Sequence, residues 1–323
     1  MSSPNRSYRV VQAGPEHDAG MARLLEESAF DGPIAVSYRR RPSVIASYKK
    51  EADEGLLYVL LHGPEEAVVG MGAVTIRSVW LNGRWQRMAY LSGLRITPAH
   101  QKAFLLIPRM YERMYQSTKD QVDLYLTTIV SDNTDVIRMF EKKRRAMPEY
   151  RFETELETYL IGSKPVRKEA QIRPQERKTN GCADPAWLAA RGARFFGTGE
   201  NYGYLLKPYW KQYLIKSYRG AYRLLSVLPT EKFFLPRFPK PGTDASYLAA
   251  GVYADHDMPR IVDTLRRQTP ADFLMLSAVQ GSPLAAHLKR LTPVVYRTRL
   301  YQVLFHEAEP QDLRGLAVDV SFL

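Results

Sequence analysis

The stretch MAYLSGLRITPAHQKAFLLIPRMYERMYQ, residues 88–116, decides the fold of this chain. It opens with a short, mostly apolar run, residues 89–96, which is typical of a strand covered on both faces. A polar turn at residues 97–102 leads into apolar positions with helical spacing. The expected buried helix face consists of Ile107, Met110, Tyr111, Met114 and Tyr115. A strand that turns directly into a helix presents unpaired backbone N–H groups, so the turn is a predicted phosphate site.

The segments before this stretch predict one strand, two helices and two further strands, in that order. Their bounds are residues 8–11, 15–30, 42–51, 56–61 and 67–79. Asn82 and Gly83 follow, and this pair is a strong signal for a tight hairpin turn, since both residues tolerate a positive φ. The triplet Arg39-Arg40-Arg41 precedes the second helix, and we interpret it as a solvated helix entrance.

The segments after the stretch predict a strand, a helix and another strand. Residues 122–130 are apolar, and residues 150–161 alternate between apolar and polar types, as strand residues do. Between them, Asn133 is a helix-capping residue that precedes the apolar helix positions Val136 and Ile137. The predicted fold class is therefore α/β.

The strand, turn and helix of residues 88–116 resemble motif A of the GNAT acyltransferase superfamily. In that motif a strand ending L-R-V-x-P is followed by R/Q-x-x-G-x-G/A and a helix. The matching residues are Leu94, Arg95, Ile96, Pro98 and Gln101. Phe104 and Leu106 stand where the motif has small residues. Because glycine lets the backbone approach a phosphate closely, these two larger side chains are expected to weaken CoA binding.

The text SDNTDVIRMFEKK, residues 131–143, is similar to motif B of the same superfamily. In motif B an Asn after the fifth strand precedes a helix that carries Tyr-Glu-Lys, and Asn133, Glu141 and Lys142 match it. Phe140 occupies the place of the tyrosine that usually serves as the acid, and phenylalanine has no proton to give. The catalytic residues are therefore unassigned.

The resemblance implies an α/β fold with a mixed, mostly antiparallel GNAT-type sheet flanked by helices. It also implies that acetyl-CoA, or another acyl-CoA, enters where strands four and five splay apart. The pantetheine would lie along strand four and the pyrophosphate on the motif A loop. The residues that the resemblance assigns to cofactor binding are Leu94, Arg95, Ile96, Gln101, Lys102, Ala103, Phe104, Leu105, Leu106 and Asn133.

The C-terminal part of the chain echoes the first part. Residues 247–252 (YLAAGV) resemble residues 90–94 (YLSGL), and a helix, a strand and a second helix are predicted after them. We therefore expect two GNAT-like domains in tandem, an acyl-CoA-binding domain at residues 1–175 and a degenerate second domain at residues 176–323. Chance similarity between two α/β segments is the alternative.

An aromatic run lies between the two copies, where residues 187–196 and 209–228 are predicted to be helical. Its members are Tyr202, Tyr204, Tyr209, Trp210, Tyr213, Tyr218 and Tyr222. Their near-helical spacing favours packing in the core or between domains, and a substrate groove is the alternative interpretation.

Two functions from different classes follow from the resemblance. The first is an acyl-CoA-dependent N-acyltransferase that transfers an acetyl group to an amine of a small molecule or a protein. The second is a non-catalytic, degenerate member that binds an acyl-CoA or a protein partner. The departures at Phe104, Leu106 and Phe140 favour the second, while the preserved strand-turn-helix and Asn133 favour the first, which we prefer. In some tandem relatives the C-terminal carboxylate acts as the base, a role that Leu323 permits.

The composition bears on the expected partners and on the cellular compartment. The chain has 323 residues and a formal net charge of +12, most of it in residues 161–323. No nucleic-acid motif accompanies the basic residues, so we interpret them as a solvated surface and expect no nucleic-acid partner. The single cysteine, Cys182, allows no disulfide within the chain, and neither a signal peptide nor a membrane span is visible. We expect a cytoplasmic protein without a metal, since the histidines show no metal-ligand spacing.

Overall fold

The computed structural model describes residues 8–30, 34–144, 146–165, 169–175, 181–208, 211–233, 235–306 and 308–316. The strands are β1 Tyr8–Gln12, β2 Ala29–Phe30, β3 Ile34–Arg39, β4 Glu54–His62, β5 Ala67–Leu81, β6 Arg84–Ile96, β7 Leu124–Val130, β8 Glu149–Ile161, β9 Arg194–Thr198, β10 Asn201–Leu206, β11 Gln212–Tyr218, β12 Tyr247–Tyr253, β13 Phe273–Val279 and β14 Val295–Leu304. The α-helices are α1 Asp18–Glu27, α2 Val44–Glu51, α3 Ile107–Thr118, α4 Thr134–Glu141, α5 Pro185–Ala190, α6 Ala221–Leu225, α7 Met258–Arg267 and α8 Pro283–Lys289.

Eleven of these strands form one sheet in the order β1-β4-β5-β6-β7-β14-β8-β13-β12-β10-β9. Neighbouring strands are antiparallel, except that β6 is parallel to β7 and β12 is parallel to β13. A helix connects each parallel pair, α3 in the first half and α7 in the second. The predicted mixed, mostly antiparallel sheet is confirmed, and the order strand-helix-strand-helix-strand occurs twice.

The last strands of the two halves exchange places at the centre of the sheet. β8 ends the first half but pairs with β13 of the second, whereas β14 ends the second half but pairs with β7 of the first. β8 and β14 also pair with each other, from Val295↔Tyr159 to Leu304↔Glu149. Each half therefore closes on a strand of the other half. The domain boundary at residue 175 stays a prediction about the sequence repeat.

Helices cover both faces of the first half of the sheet. α1 and α2 pack against Leu57 and Val59 of β4, while α3 and α4 pack on the opposite face, with Tyr58 and Leu60. The predicted apolar face of α3 is confirmed, because Ile107, Met110, Tyr111 and Met114 are buried there. The burial of each such side chain stabilises the folded state by roughly 1.5–3 kcal/mol. None of the helices that the structure describes is long and apolar enough to cross a membrane.

A second sheet of three strands, in the order β11-β3-β2, lies against β12 and β13. Ile215 and Tyr218 of β11 pack there with Tyr247, Phe273 and Met275. Because β3 belongs to the first half and β11 to the second, this small sheet joins the halves and sets Tyr38 opposite Tyr213.

The Asn82-Gly83 hairpin prediction is confirmed by the backbone. The two residues have φ values of 50° and 80°, and they connect β5 directly to β6. This tight turn keeps β5 and β6 in register, which positions the end of β6.

Several predictions about secondary structure were wrong. Residues 97–102 are not an open polar turn but part of a 3-10 helix, Pro98–Leu106, so α3 begins only at Ile107. Residues 187–196 contain only the end of α5 and then β9, and residues 209–228 contain β11 and the short α6 instead of a long helix. Short aromatic and apolar runs fit either period, and pairing with neighbouring strands decides between them. β2 and β3, between α1 and α2, were not predicted.

Candidate active site

The parallel strands β6 and β7 separate at one end. Their ladder stops at Leu91 and Thr127, whereas β6 continues beside β5 to Ile96. The register between β5 and β6 is irregular near Gly93, which has a φ of +66°. A β-bulge bends the strand that carries it, and glycine tolerates the positive φ. Gly93 therefore turns the end of β6 away from β7 and opens a gap in the sheet.

A cavity of about 1350 Å³ occupies this gap. On the side of α3 and α4 it is lined by Phe104, Tyr111, Met114, Asn133 and Phe140. Toward the small sheet lies a part that we call the tyrosine chamber, which is lined by Tyr38, Tyr90, Tyr213, Tyr247 and Tyr296. Pockets for one drug-sized ligand usually measure about 300–1000 Å³, so this cavity has room for two reactants.

The residues assigned to cofactor binding fall into three groups. Those that line the cavity are Leu94, Arg95, Ile96, Phe104 and Asn133. Ala103 and Leu106 are buried in the core beneath α3. Gln101, Lys102 and Leu105 are exposed on the surface. The strand part of the assignment thus faces the cavity, while most of the loop part does not. All ten remain predicted cofactor contacts.

The loop part does not form the open cradle that a pyrophosphate needs. Pro98–Leu106 is wound into 3-10 turns with a kink at His100, and an N–H group that bonds to the carbonyl three residues earlier in such a turn is not available to a phosphate. Phe104 is 37% exposed, so it is not a core side chain but lies at the edge of the cavity. Binding a pyrophosphate here would require this segment to unwind locally.

A pair of tyrosine hydroxyls lies beside Phe140, at the position where the resemblance expects an acid. The Phe140 ring stacks on Tyr150 with 4.6 Å between centroids, and the hydroxyls of Tyr150 and Tyr111 are hydrogen-bonded to each other. Burial raises the pKa of Tyr111 to about 12 and also raises the pKa of Tyr150. Both hydroxyls therefore keep their protons at neutral pH. The sequence analysis missed them because both looked like ordinary core positions.

Asn133 has the capping role that its motif predicts. Its side-chain oxygen accepts a hydrogen bond from the backbone N–H of Val136, at 3.4 Å, at the start of α4. Asn133 lines the cavity as well. The cap thus holds the first turn of α4 at the edge of the gap.

Three rings of the tyrosine chamber contact one another across the two halves. The centroids of Tyr38 and Tyr213 are 5.0 Å apart, as are those of Tyr213 and Tyr247. The Tyr90 hydroxyl lies 2.6 Å from the Thr128 hydroxyl. Burial raises the pKa of all five tyrosines of the chamber, that of Tyr90 to about 12. Their hydroxyls therefore stay protonated and can donate hydrogen bonds.

Basic side chains outnumber acidic ones along the cavity. The basic residues that line it are Arg40, Lys50, Arg77, Arg95, Arg191, Lys207, Lys211, Arg237 and Arg297. Among the lining residues the carboxylates are Glu51 and Asp132. In the tyrosine chamber, the Lys211 Nζ lies 5.0 Å from the centroid of the Tyr38 ring, and the Arg95 Cζ lies 5.6 Å from it. Two cations thus flank one ring.

The interpretation of the arginine triplet as a solvated helix entrance was wrong for Arg40. Arg40 is only 6% exposed; its guanidinium donates to the Ser47 hydroxyl and forms an ion pair with Glu51, each at 2.9 Å. Burial favours a lower pKa for Arg40, but the charge and hydrogen bond of Glu51, together with Tyr48 and Tyr247, outweigh this and raise it. The Arg40 Cζ also lies 3.8 Å from the centroid of the Tyr48 ring. These contacts fix Tyr48, whose hydroxyl lies next to Gly93.

Lys211 carries an unusual charge state for a lysine. Burial, together with the charges of Arg40, Arg95 and Arg77, lowers the pKa of its ammonium to about 8, while Glu51 acts in the opposite direction. Burial also lowers the pKa of Arg95. Near pH 8, part of the Lys211 population is therefore neutral.

Neither interpretation of the aromatic run holds for the whole run. Tyr202 and Tyr204 are fully buried core residues. Tyr213, Tyr218 and Tyr222 line the cavity. Tyr209 and Trp210 lie outside the described residues. Lys211 and Tyr38 escaped the sequence analysis because they lie on or next to strands that were not predicted, and those strands come from different halves.

Three further side chains that can carry a proton, Ser92, His100 and Tyr125, are spread over the fold. Ser92 lines the cavity, but His100 is hydrogen-bonded to Tyr8 at 2.9 Å and Tyr125 to Thr118 at 2.8 Å. Leu323 lies outside the described residues. Within the described part of the chain, no group of three histidine, cysteine, aspartate or glutamate side chains is placed to hold a metal ion.

No protein-family model matches the chain, and no curated protein matches it. Solved structures do match it. A protein of Pyrococcus horikoshii, named as a suspected acetyltransferase, is 14% identical with a TM-score of 0.52; the match covers 97% of this chain and 95% of that one. This likeness over nearly the whole of both chains confirms the GNAT-type fold, and at this identity it shows the fold alone.

Two further structures are more distant. The N-myristoyltransferase of Saccharomyces cerevisiae, solved with bound myristoyl-CoA, is 8% identical with a TM-score of 0.49, and the match covers 97% of this chain and 89% of that one. A GNAT family N-acetyltransferase of Escherichia coli, solved in complex with CoA, is 16% identical with a TM-score of 0.31. That match covers 43% of this chain and 70% of the other.

Proposed function

We propose that this chain is an acyl-CoA-dependent N-acyltransferase, which transfers an acetyl or a longer acyl group to an amine. The observation that carries the proposal is the gap between β6 and β7 and the cavity within it. Beyond Leu91, the side of β6 that faces β7 has lost its strand neighbour, so its backbone groups are available to an extended ligand. The pantetheine arm of an acyl-CoA is such a ligand.

In the proposed reaction the acceptor nitrogen bonds to the thioester carbonyl carbon, and the carbon–sulfur bond breaks. The amine gives up one proton and the departing sulfur takes up one. The chain contributes by holding both reactants in one cavity, which removes much of the entropic barrier to their encounter. The hydroxyls of Tyr111 and Tyr150 can donate a hydrogen bond near Phe140, where the departing sulfur is expected.

The second candidate is a non-catalytic protein that binds an acyl-CoA or a protein partner. Two observations favour it, namely the wound 3-10 helix in place of an open phosphate loop and the phenylalanine at position 140. Both candidates bind ligands in the same gap. They differ in whether bound acyl-CoA reacts with an amine.

Calorimetric titration with acetyl-CoA and with CoA tests the proposal. We expect heat of binding and a raised melting temperature at submillimolar ligand, because ligand binding stabilises the folded state. Phe104→Gly is expected to bind acetyl-CoA more tightly than the natural chain. The substitution clears the edge of the cavity and frees the backbone, although glycine in a helical position costs about 0.5–1 kcal/mol of stability.

Leu224→Gly is the control for this variant. It lies in the short helix α6 and carries a similar glycine cost, but its side chain is 70% exposed and does not line the cavity. Its affinity for acetyl-CoA should equal that of the natural chain. If acetyl-CoA at millimolar concentration gives no heat of binding and no thermal shift, every candidate function that involves acyl-CoA binding is contradicted. A lower stability of Phe104→Gly with unchanged affinity would exclude a working phosphate loop.

A further inference from the structure

We propose that the tyrosine chamber binds an acceptor amine that also carries an anionic group, a carboxylate or a phosphate, and that Arg95 and Lys211 hold this anion. The inference rests on the proposed function, since it names the class of acceptor. The chamber opens on the gap from the side of the small sheet, so a molecule there lies beside the end of β6.

The charged side chains of the cavity favour an anionic ligand. Nine basic side chains and two carboxylates line the cavity, and four of the nine form ion pairs, namely Arg40 with Glu51, Arg191 with Asp53, Arg237 with Asp272 and Arg297 with Glu157. Arg95 and Lys211 converge on the ring of Tyr38 from their two different halves of the chain. Cations held close together away from bulk water repel each other, and an anion between them relieves that repulsion. The same arrangement disfavours an acceptor that carries only positive charge.

The second argument is the supply of hydrogen-bond donors. The hydroxyls of the chamber keep their protons, and a protonated hydroxyl can donate to an anionic oxygen. The Tyr247 hydroxyl is the exception, because it donates to the Lys211 carbonyl oxygen at 3.0 Å. Thr298 lines the same cavity and is only 5% exposed, and its hydroxyl has no hydrogen-bond partner among the described residues. A buried polar group without a partner is uncommon in native structures, and a bound ligand is a standard explanation.

The position of Arg95 on β6 also favours this acceptor. Arg95 belongs to the stretch of β6 that would hold the pantetheine arm, so an anion bound by Arg95 places the acceptor next to the thioester. The amine and the anion of one small molecule are a few bonds apart. The anion therefore acts as an anchor, which leaves the amine to reach into the gap.

The test uses matched pairs of probes that differ in the anion alone. L-Phenylalanine is compared with 2-phenylethylamine, L-lysine with 1,5-diaminopentane, and 2-aminoethyl phosphate with ethanolamine. Binding is measured by calorimetry on the full chain, with and without saturating CoA, and transfer is measured as thiol release from acetyl-CoA. We expect the anionic member of a pair to bind at least tenfold more tightly. The amino acids and the aminoalkyl phosphate distinguish a carboxylate from a phosphate as the preferred anion.

Variants of the chain show which residues cause the preference for the anionic probe. Lys211→Met and Arg95→Met should each remove the preference for the anionic probe, and Lys211→Arg should retain it. Arg41→Met is the control, because Arg41 is an arginine outside the cavity whose side chain is 57% exposed and pairs with Glu26. It should leave the preference unchanged. Melting curves show whether each variant is folded, and if Arg95→Met is not, Lys211→Met alone decides.

Proton uptake gives a second readout. An anion next to Lys211 raises the pKa of its ammonium, so binding of the anionic probe at pH 8 should take up as much as about half a proton. Calorimetry in buffers of different ionisation enthalpy measures this uptake, and Lys211→Met should abolish it. The charged and titratable groups that face Lys211 from the packed elements are Glu51, Arg40, Arg77, Arg95, Tyr38 and Tyr213.

Each outcome decides between the proposals. Equal or tighter binding of the probes that lack the anion, or no binding of any anionic probe, overturns the inference even when acetyl-CoA binds. A preference for anions that survives in both Lys211→Met and Arg95→Met also overturns it. Failure to bind acetyl-CoA refutes the proposed function instead, and the probes measured without CoA still report whether the chamber selects anions.

Discussion

Leu300→Ala is expected to lower the free energy of unfolding by about 2–5 kcal/mol, because it leaves a cavity at the centre of the sheet. Leu300 is 1% exposed and lies on β14, the strand of the second half that pairs with β7 and β8 of the first. Since this strand of the second half lies between two strands of the first, the variant should still unfold in one transition at a lower denaturant concentration. Denaturant unfolding followed by fluorescence and by circular dichroism measures both properties.

Leu105→Ala is the control, since it removes the same atoms from a side chain that is 81% exposed. Surface substitutions of this kind change stability by about 0.5 kcal/mol or less. Two separate transitions in Leu300→Ala, with only one of them shifted, would show that the halves unfold independently. That result would contradict the account of exchanged strands as the element that unites the fold.

Gly93→Ala is expected to weaken acetyl-CoA binding at least tenfold and to destabilise the chain. A Cβ atom at position 93 would lie 2.5 Å from the Tyr48 hydroxyl, and Tyr48 is held in place by Arg40. The positive φ costs about 1–2 kcal/mol for a residue with a side chain, and overpacking adds about 1–3 kcal/mol. The strand should shift to relieve the clash, which changes the width of the gap. Melting curves and acetyl-CoA titration measure the two effects.

Gly83→Ala separates the cost of the positive φ from the effect of overpacking. Gly83 also has a positive φ, +80°, but a Cβ atom there meets nothing within 4 Å, and the residue lies in the hairpin turn at the start of β6. This variant should bear the backbone cost and bind acetyl-CoA as well as the natural chain does. Equal affinity in Gly93→Ala and Gly83→Ala would mean that the bulge at Gly93 does not shape the ligand site.

The sequence predicted the parts of the fold that depend on local pattern. The apolar spacing of α3, the Asn82-Gly83 turn and the cap at Asn133 follow from the preferences of adjacent residues, and the structure shows all three. Motifs A and B extended these elements to a GNAT-type fold. Their strand positions, Leu94 to Ile96, line the cavity as predicted contacts should.

The tyrosine chamber could not be predicted in this way. Tyr38 and Lys211 are more than 170 positions apart in the sequence, and they meet only because β3 pairs with β11. Pairing between distant strands leaves no local signal, and both strands were short runs of ambiguous period. Arg40 was misjudged for a similar reason, because its partner Glu51 lies at the far end of the following helix and is not adjacent in sequence.

Amide hydrogen exchange of β6, with and without acetyl-CoA, tests the central claim most directly. If the pantetheine arm lies along the splayed end of β6, the amides of residues 92–96 should exchange at least tenfold more slowly at saturating acetyl-CoA. The hairpin amides of residues 82–83 should be unaffected. Unchanged exchange in residues 92–96 of a chain saturated with acetyl-CoA, or protection confined to another part of the sheet, would contradict the assignment of this gap as the acyl-CoA site.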